Sequence, residues 1–361
     1  MKIGIDAREA AGLEKAGKGT YVQELLKEIE NSDSPHQFIL YTKDQLSVID
    51  SKNIKVKQIK APSIFWHLVC LWHLLFIDKV DKFLATTSYI IPALVPKKCV
   101  VIIPDLVVFL KISQHQTKAS LIEKLTLIRA AKKCLKIIAI SESTKKDIIK
   151  TFSVAQDKII VILLAASDIF QPTSNMEILQ KYSLPFKYFL FVSTLEPRKN
   201  IVRLIKAYKI AKSENDFPQL VLVGKKGWYY KEIFVTIENL GLEKDIIFPN
   251  YIEACDLPAI YSHATAYLFP SLYEGFGMTV LEAMKCGTPV LTSNISSLPE
   301  VVGEAALLVD PKNVTDIAKS IKELYLNENL KNKLVEKGYK QAQKFSWQKT
   351  AEETLKVLTH E

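Results

Sequence analysis

The chain has 361 residues, 48% hydrophobic and 24% charged, with a formal net charge of +9. That length suits two cores, and the composition excludes a fibrous, collagenous or disordered chain. Five cysteines (Cys70, Cys99, Cys134, Cys255, Cys286), odd in number and without a C-x-x-C pair, exclude a disulfide frame and a zinc site and fit reduced cytosolic thiols.

The charge is uneven. Residues 1–170 hold 25 Lys/Arg against 17 Asp/Glu, whereas residues 171–361 hold 23 against 22. A basic first half suggests an anionic partner. No aromatic-interleaved basic stripe or reading motif supports nucleic acid, so a phosphorylated acceptor or an anionic membrane surface fits better.

The opening KIGIDA reads as a strand rather than a signal peptide. A loop ending AGKGTYVQELL leads into an amphipathic helix expected near 19–30, with Gly17 and Gly19 just before it. Glycine there permits close backbone approach to a ligand and frees N–H groups. The spacing is not G-x-G-x-x-G, which argues against a dinucleotide oxidoreductase. Strands QFILYT and KNIKVKQIK follow. The longest apolar run, residues 64–77, is too short to span a bilayer and reads as a buried or interface helix, with a membrane-lying helix as the alternative. Its histidines, His67 and His73, are satisfied polar tips or part of an acceptor pocket.

Three β-rich runs come next: DKFLAT, CVVIIPDL and KIIAIS. In open parallel sheets, ligands bind beyond the carboxyl ends of the strands, which places Asp105 and Ser141 for binding. Ser141 can equally cap the helix that follows. A polar, proline-bearing stretch over 164–186 reads as a domain linker, after which strands and helices alternate again. Such alternation argues for a doubly wound parallel sheet in each half.

The first strand of the second half runs into TLEPRKN and a helix. Arg198 and Lys199 thus stand at a helix N-terminus, the positive end of the dipole, and make sense if an anion binds there. Arginine offers a bidentate fork and lysine a point charge, a division suited to a diphosphate. Further on lies FPSLYEGFGMTVLEAMKCGTPVLTS, a strand, a glycine-bearing loop, a helix and a strand expected at 289–292. Its helix should open with free N–H groups on Phe276, Gly277, Met278 and Thr279. Two carboxylates bracket that opening, Glu274 and Glu282. From Gly277 to Glu282 the helix rises only ~7.5 Å, within one nucleotide-sugar. Neither carboxylate is expected in the core, since an unpaired buried charge is costly. With no D-x-D motif in the chain, a metal held against the diphosphate is disfavoured, and Arg198 and Lys199 are placed to neutralise leaving-group charge instead.

VSTLEPRKN followed by PSLYEGFGMTVLEAMKCGTPVLTS resembles glycosyltransferase family 4. KIGIDAR…GKGTYVQEL and the closing FSWQKTAEETLKVL resemble it more loosely. The resemblance implies an α/β protein of the GT-B fold, two Rossmann-like doubly wound domains facing a cleft. An acceptor-side domain would span 1–168, with the final helix (347–361) packing back on it, and a nucleotide-sugar donor domain would span 169–346. It implies a retaining, metal-independent hexosyltransferase of polysaccharide biosynthesis, with no cofactor beyond its nucleotide diphosphate sugar. The donor sketched is GDP-mannose first and a UDP-hexose next, the acceptor a glycan or lipid-linked chain. Apart from the resemblance, the cysteine usage and the basic first half suggest a cytoplasmic protein, peripheral at the inner face of the cell membrane. A non-catalytic nucleotide-sugar-binding subunit and an epimerase of the same fold are the alternatives. By resemblance Arg198 and Lys199 meet the diphosphate, Glu274 the donor sugar near the reacting centre, and Glu282 the ribose. Phe276, Gly277 and Met278 would give backbone N–H groups to sugar and phosphate, Gly19 would sit near phosphate or acceptor, and Gly224, Tyr251 and Ile252 would lie near the nucleobase. Asp105 remains of a His–Asp pair common in the family, with Pro104 in the histidine position. Two milder departures are Ser193 and Asn250, where glycine is frequent.

Overall fold

A computed structural model describes residues 1–11, 17–46, 52–110, 118–212, 217–249 and 252–359. The chain divides into two units, Met1–Leu164 with Ser346–Glu361, and Ala165–Phe345.

The first unit begins with β1 (Lys2–Asp6), α1 (Gly17–Glu30), β2 (Gln37–Thr42), β3 (Ile54–Gln58) and α2 (Ser63–Trp72), which continues as one π turn over His73–Ile77. Then come β4 (Lys82–Ala85), α3 (Ile90–Leu94), β5 (Cys99–Ile103), α4 (Lys118–Lys133), β6 (Lys136–Ala139), α5 (Glu142–Phe152) and β7 (Ile159–Val161). The sheet order is β3-β2-β1-β4-β5-β6-β7, and every pairing is parallel. CVVII is buried at all five positions because helices cover both faces of such a sheet. One core cluster joins the buried sides of α2, α3, α4 and α5 to the sheet, among them Trp66, Cys70, Ile91, Leu127, Ala131 and Ile148.

The second unit runs α6 (Glu177–Lys181), β8 (Tyr188–Val192), α7 (Ile201–Ala211), β9 (Gln219–Val223), α8 (Lys231–Leu240), β10 (Ile246–Ile247), α9 (Leu257–Ser262), β11 (Ala266–Phe269) and α10 (Met278–Lys285). It closes with β12 (Val290–Ser293), α11 (Leu298–Val302), β13 (Ala306–Val309), α12 (Val314–Leu326) and α13 (Glu328–Ala342). Its parallel sheet has the order β10-β9-β8-β11-β12-β13, the doubly wound arrangement. The last helix, α14 (Trp347–Thr359), belongs to the first unit: its Trp347 ring lies 5.9 Å from Tyr21, and the Thr350 hydroxyl donates to the Leu163 carbonyl at 2.6 Å.

Several expectations are corrected. Gly17 and Gly19 lie inside the first turn of α1 rather than ahead of it, and Gly19 is buried. The stretch read as a linker is packed on the second unit: Phe170 meets Tyr261 at 5.8 Å, and the Lys285 ammonium donates to the Ser167 carbonyl at 3.1 Å. Residues 65–77 are buried on one side only, since Phe65, Leu68, Trp72 and Phe76 are each more than half exposed. β12 ends one residue later than the 289–292 expected, and Asn250 and Tyr251 fall outside the described residues.

Candidate functional site

In a doubly wound sheet, the loops that follow the two strands flanking the reversal of order splay apart and leave a crevice. In the second unit those strands are β8 and β11. The loop after β8 carries Glu196, then a 3₁₀ turn over Pro197–Lys199, then Asn200 in the left-handed region at φ 64°. The loop after β11 carries Ser271 to Gly277. The Leu272 N–H donates to the Arg198 carbonyl at 2.9 Å, tying the loops together by backbone. The Asn200 side-chain amide donates to the carbonyls of Pro270 (2.8 Å) and Pro311 (2.6 Å).

These ties bring four charged side chains into one buried network. Glu274 accepts from the Lys199 ammonium at 2.7 Å, from Arg198 at 3.0 Å and from the Ser271 hydroxyl at 2.6 Å. Arg198 also donates to Glu196 at 2.9 Å through Nε and to the Tyr273 carbonyl at 2.7 Å. Glu196, Lys199 and Glu274 are all buried. The expectation that Glu274 lies outside the core is therefore overturned, because three donors compensate its charge. The two cations at the helix start are paired here with two negative charges, those of Glu196 and Glu274. Burial raises the Glu274 carboxyl, but Lys199 and Arg198 outweigh it and hold it at about 2. Burial pushes Glu196 up and Lys199 down from their ordinary values.

The loop is held from behind by the turn preceding α11. Ser296 donates to the Glu274 carbonyl at 2.6 Å and accepts from its N–H at 3.1 Å, and Ser297 donates to the Phe276 carbonyl at 2.7 Å. Phe276 itself is buried, 5.8 Å from Phe345. Gly277 caps α10 at φ 116°, and the first intrahelical bond is the Val280 N–H to the Gly277 carbonyl at 3.0 Å. The N–H groups of Gly277, Met278 and Thr279 precede that bond, so they head the helix as donors for an acceptor.

Glu282 sits in the same helix and accepts from the Tyr261 hydroxyl at 2.9 Å. Burial raises its carboxyl to about 7 against that one hydrogen bond. Gly224 follows β9 at φ 152°, where a Cβ would lie 1.8 Å from the Ser193 carbonyl oxygen, so only glycine allows the two strand ends this approach. Ile252 is buried.

Other predicted residues lie in the first unit, and two of them do local structural work. Asp105 accepts from the Val107 N–H at 3.0 Å, and Ser141 is the N-cap of α5, accepting from the Thr144 N–H at 3.0 Å. The reversal in this unit falls between β1 and β4, and there sequence reasoning missed a cluster. Arg8 forms a fork on Asp6 (2.9 and 2.7 Å), lies 4.2 Å above the Trp66 ring, and donates to His67 Nε2 at 3.1 Å. The same nitrogen lies 3.0 Å from the Ser88 hydroxyl. Arginine only donates, so His67 Nε2 accepts; burial and then Arg8 pull the ring down to about 4, which keeps it neutral.

Glu196, Ser271, Ser296, Ser297 and Tyr261 were also missed in the second unit. Only Glu196, two residues before an arginine, carried a signal readable in sequence. Among the described residues, Glu253, Cys255 and Asp256 have ligand atoms within 4.8 Å of one another, but Asp256 is already held by Lys181 and Tyr182, each at 2.7 Å.

Residues 175–341 match the model of the family "Glycosyl transferases group 1". The chain is 37% identical over 225 residues to the O-antigen chain mannosyltransferase B of Escherichia coli, a match covering 61% of this chain and 59% of that protein. It thus spans less than two thirds of that relative. The solved sucrose-phosphate synthase of Thermosynechococcus elongatus has a TM-score of 0.82 at 18% identity, over 99% of this chain and 98% of its own. The Anabaena protein HepE, solved with UDP-glucose, gives 0.78 at 18% identity over 99% of each chain. Those likenesses show the fold, the two-unit α/β architecture of GT-B glycosyltransferases. The family match lies on the unit that holds the Arg198–Lys199–Glu274 network, so over residues 175–341 the chain is similar to the group 1 glycosyl transferases.

Proposed function

We propose that the protein is a retaining hexosyltransferase that moves a sugar from a nucleotide diphosphate donor to a growing glycan or lipid-linked acceptor in polysaccharide biosynthesis. The observation that carries this is the buried network of Arg198, Lys199, Glu196 and Glu274 beside the start of α10. In this reading the diphosphate takes over the donors of Arg198 and Lys199, and the N–H groups heading α10 meet phosphate or sugar oxygens. Both cations then offset the charge that grows on the leaving nucleotide diphosphate, without a metal ion. Glu274, kept ionised, faces the positive charge that develops on the donor sugar. The acceptor hydroxyl bonds to the anomeric carbon on the face from which the nucleotide diphosphate departs, giving its proton to a donor phosphate oxygen, and same-face attack keeps the configuration.

Mannose from GDP-mannose is the donor we favour, supported by the printed activity of the Escherichia coli relative. A UDP-hexose is second, supported by the UDP-glucose bound to HepE. The basic first unit supports peripheral contact with an anionic membrane on the cytoplasmic side. Pro104 at the family's histidine position favours one other reading, a nucleotide-sugar-binding subunit without turnover.

Glu274→Gln keeps the shape of the side chain while removing its charge and turning one of its two acceptor oxygens into a donor. Transfer, assayed with radiolabelled GDP-mannose and UDP-hexoses, should fall roughly a hundred- to thousandfold. Thermal-shift binding of the matching nucleotide diphosphate should persist. Full activity in the variant sinks the catalytic assignment, and binding without turnover in the unmodified protein selects the subunit reading.

A further inference from the structure

The first unit has an outer face that its own core does not use. On α2 the buried side is Trp66, Cys70 and Leu74, while the opposite side presents Phe65 (56% exposed), Leu68 (54%), Trp72 (53%) and Phe76 (65%). Spacings of three and four residues put these side chains in one stripe along the helix and its π turn. α3 contacts both α2 and α4, and its last residue, Leu94, is exposed. On α4 the exposed residues are Leu121, Ile122 and Leu125 toward the start, followed on the same helical side by Arg129, Lys132 and Lys133. The sequence carries no charge from residue 61 to 77 or from 83 to 96.

We infer that the α2–α3–α4 face is a docking surface for an anionic lipid bilayer, into whose interface Phe65, Leu68, Trp72 and Phe76 insert. The inference rests on the peripheral-membrane part of the proposed function and not on its transfer chemistry. An apolar stripe of this size is far from a scattered surface leucine. Its layout, apolar side chains next to a basic patch on the same layer of helices, is that of a segment lying in the headgroup region with lysines directed at lipid phosphates. Among the described residues no helix is long and apolar enough to cross a membrane, so the face lies on the bilayer.

Charge selects lipid over a second copy of the chain. The first unit holds 27 Lys/Arg against 19 Asp/Glu, and the second 21 against 20. Joining two copies through this face brings two strongly basic units together, whereas an anionic bilayer attracts one.

Trp72 supplies a direct probe, because Trp66 and Trp347 are buried and Trp228 is half-buried. Full-length protein mixed at low salt with phosphatidylglycerol–phosphatidylcholine vesicles should float with them, and its tryptophan emission should shift to the blue. Vesicles of phosphatidylcholine alone should bind markedly less. The double variant Phe65→Glu/Phe76→Glu should lose roughly tenfold or more of the binding, since two exposed aromatic anchors are removed. Its thermal transition and its nucleotide-diphosphate shift should stay unchanged. Absent vesicle binding by the unmodified protein, equal binding by the variant, or equal binding to neutral vesicles overturns the inference. A dimer in sedimentation equilibrium that the variant dissolves, without vesicle binding, gives the face to a second copy and overturns it too. Donor binding read in parallel separates a failure of this surface from a failure of the transferase reading.

Discussion

Glu274 and Glu282 are carboxylates in one strand–loop–helix unit; burial raises both, and their partners decide the opposite outcomes. Glu274 has Lys199, Arg198 and Ser271 to answer its charge and is held at about 2. Glu282 has one neutral donor, Tyr261, and rises to about 7. A carboxyl whose folded value lies below the ordinary 4.5 adds stability above that pH, and the contribution is lost as pH falls toward 2. A carboxyl whose folded value lies above it adds stability at low pH, and that contribution is lost as pH rises from about 4.5 to about 7. Glu282→Gln, which mimics the protonated form, should therefore match the unmodified protein near pH 4.5. By pH 7 to 8 it should be the more stable, the gap growing by roughly 1.4 kcal/mol per unit. Urea unfolding across that range measures the gap, and a gap that does not change with pH counts against this account. Replacing Lys199 is a different case: it strands Glu274 without one of its two cations, a change of the kind that costs about 3–5 kcal/mol.

At the scale of elements, the carboxyl ends of β8 and β9 are drawn together until only glycine fits. A Cβ on Gly224 would lie 1.8 Å from a backbone oxygen, and that oxygen's residue is fixed by the Ser193 N–H to Val223 carbonyl bond of 2.9 Å. Gly224→Ala should cost on the order of 3 kcal/mol or more, because neither the φ of 152° nor the backbone neighbour can adapt. Gly241→Ala is the control: its φ is 61°, and a Cβ there meets nothing within 4 Å. That change should cost only about 1–2 kcal/mol, the left-handed penalty alone. Chemical denaturation of both variants tests the comparison, and equal losses would place the strain elsewhere. Gly277 stands between these cases, since the atom its Cβ would meet at 2.8 Å is the flexible end of Leu298.

For the whole molecule, the first unit is completed by the last helix of the chain. Trp347, Ala351 and Leu358 are buried, and Thr350 is tied to Leu163 across 187 positions of sequence. A chain ending at Phe345 leaves that core open on the α1 side while the second unit keeps all of its elements. Scanning calorimetry should then show the first unit's transition lowered or lost and the second unit's preserved. Two unchanged transitions would remove α14 from the first unit's stability.

Sequence alone determined the class of fold, because runs such as CVVII and YFLFV are apolar at every position and alternate with amphipathic helices, a pattern that only buried parallel sheets satisfy. It also singled out Arg198, Lys199, Glu274 and the glycine-opened helix, since charge and glycine at helix starts are local signals. It could not say that Glu274 is buried against both cations, nor that Glu196 balances Arg198. Those facts depend on the strand order that sets the loops after β8 and β11 side by side, with Lys199 and Glu274 separated by 75 positions in sequence. The apolar run 64–77 shows the same division. Its composition is plain in the sequence, but a helix apolar all round carries no periodicity to say which side is covered. Only the placement of α2 on the sheet decided that Trp66 is core and Trp72 is surface.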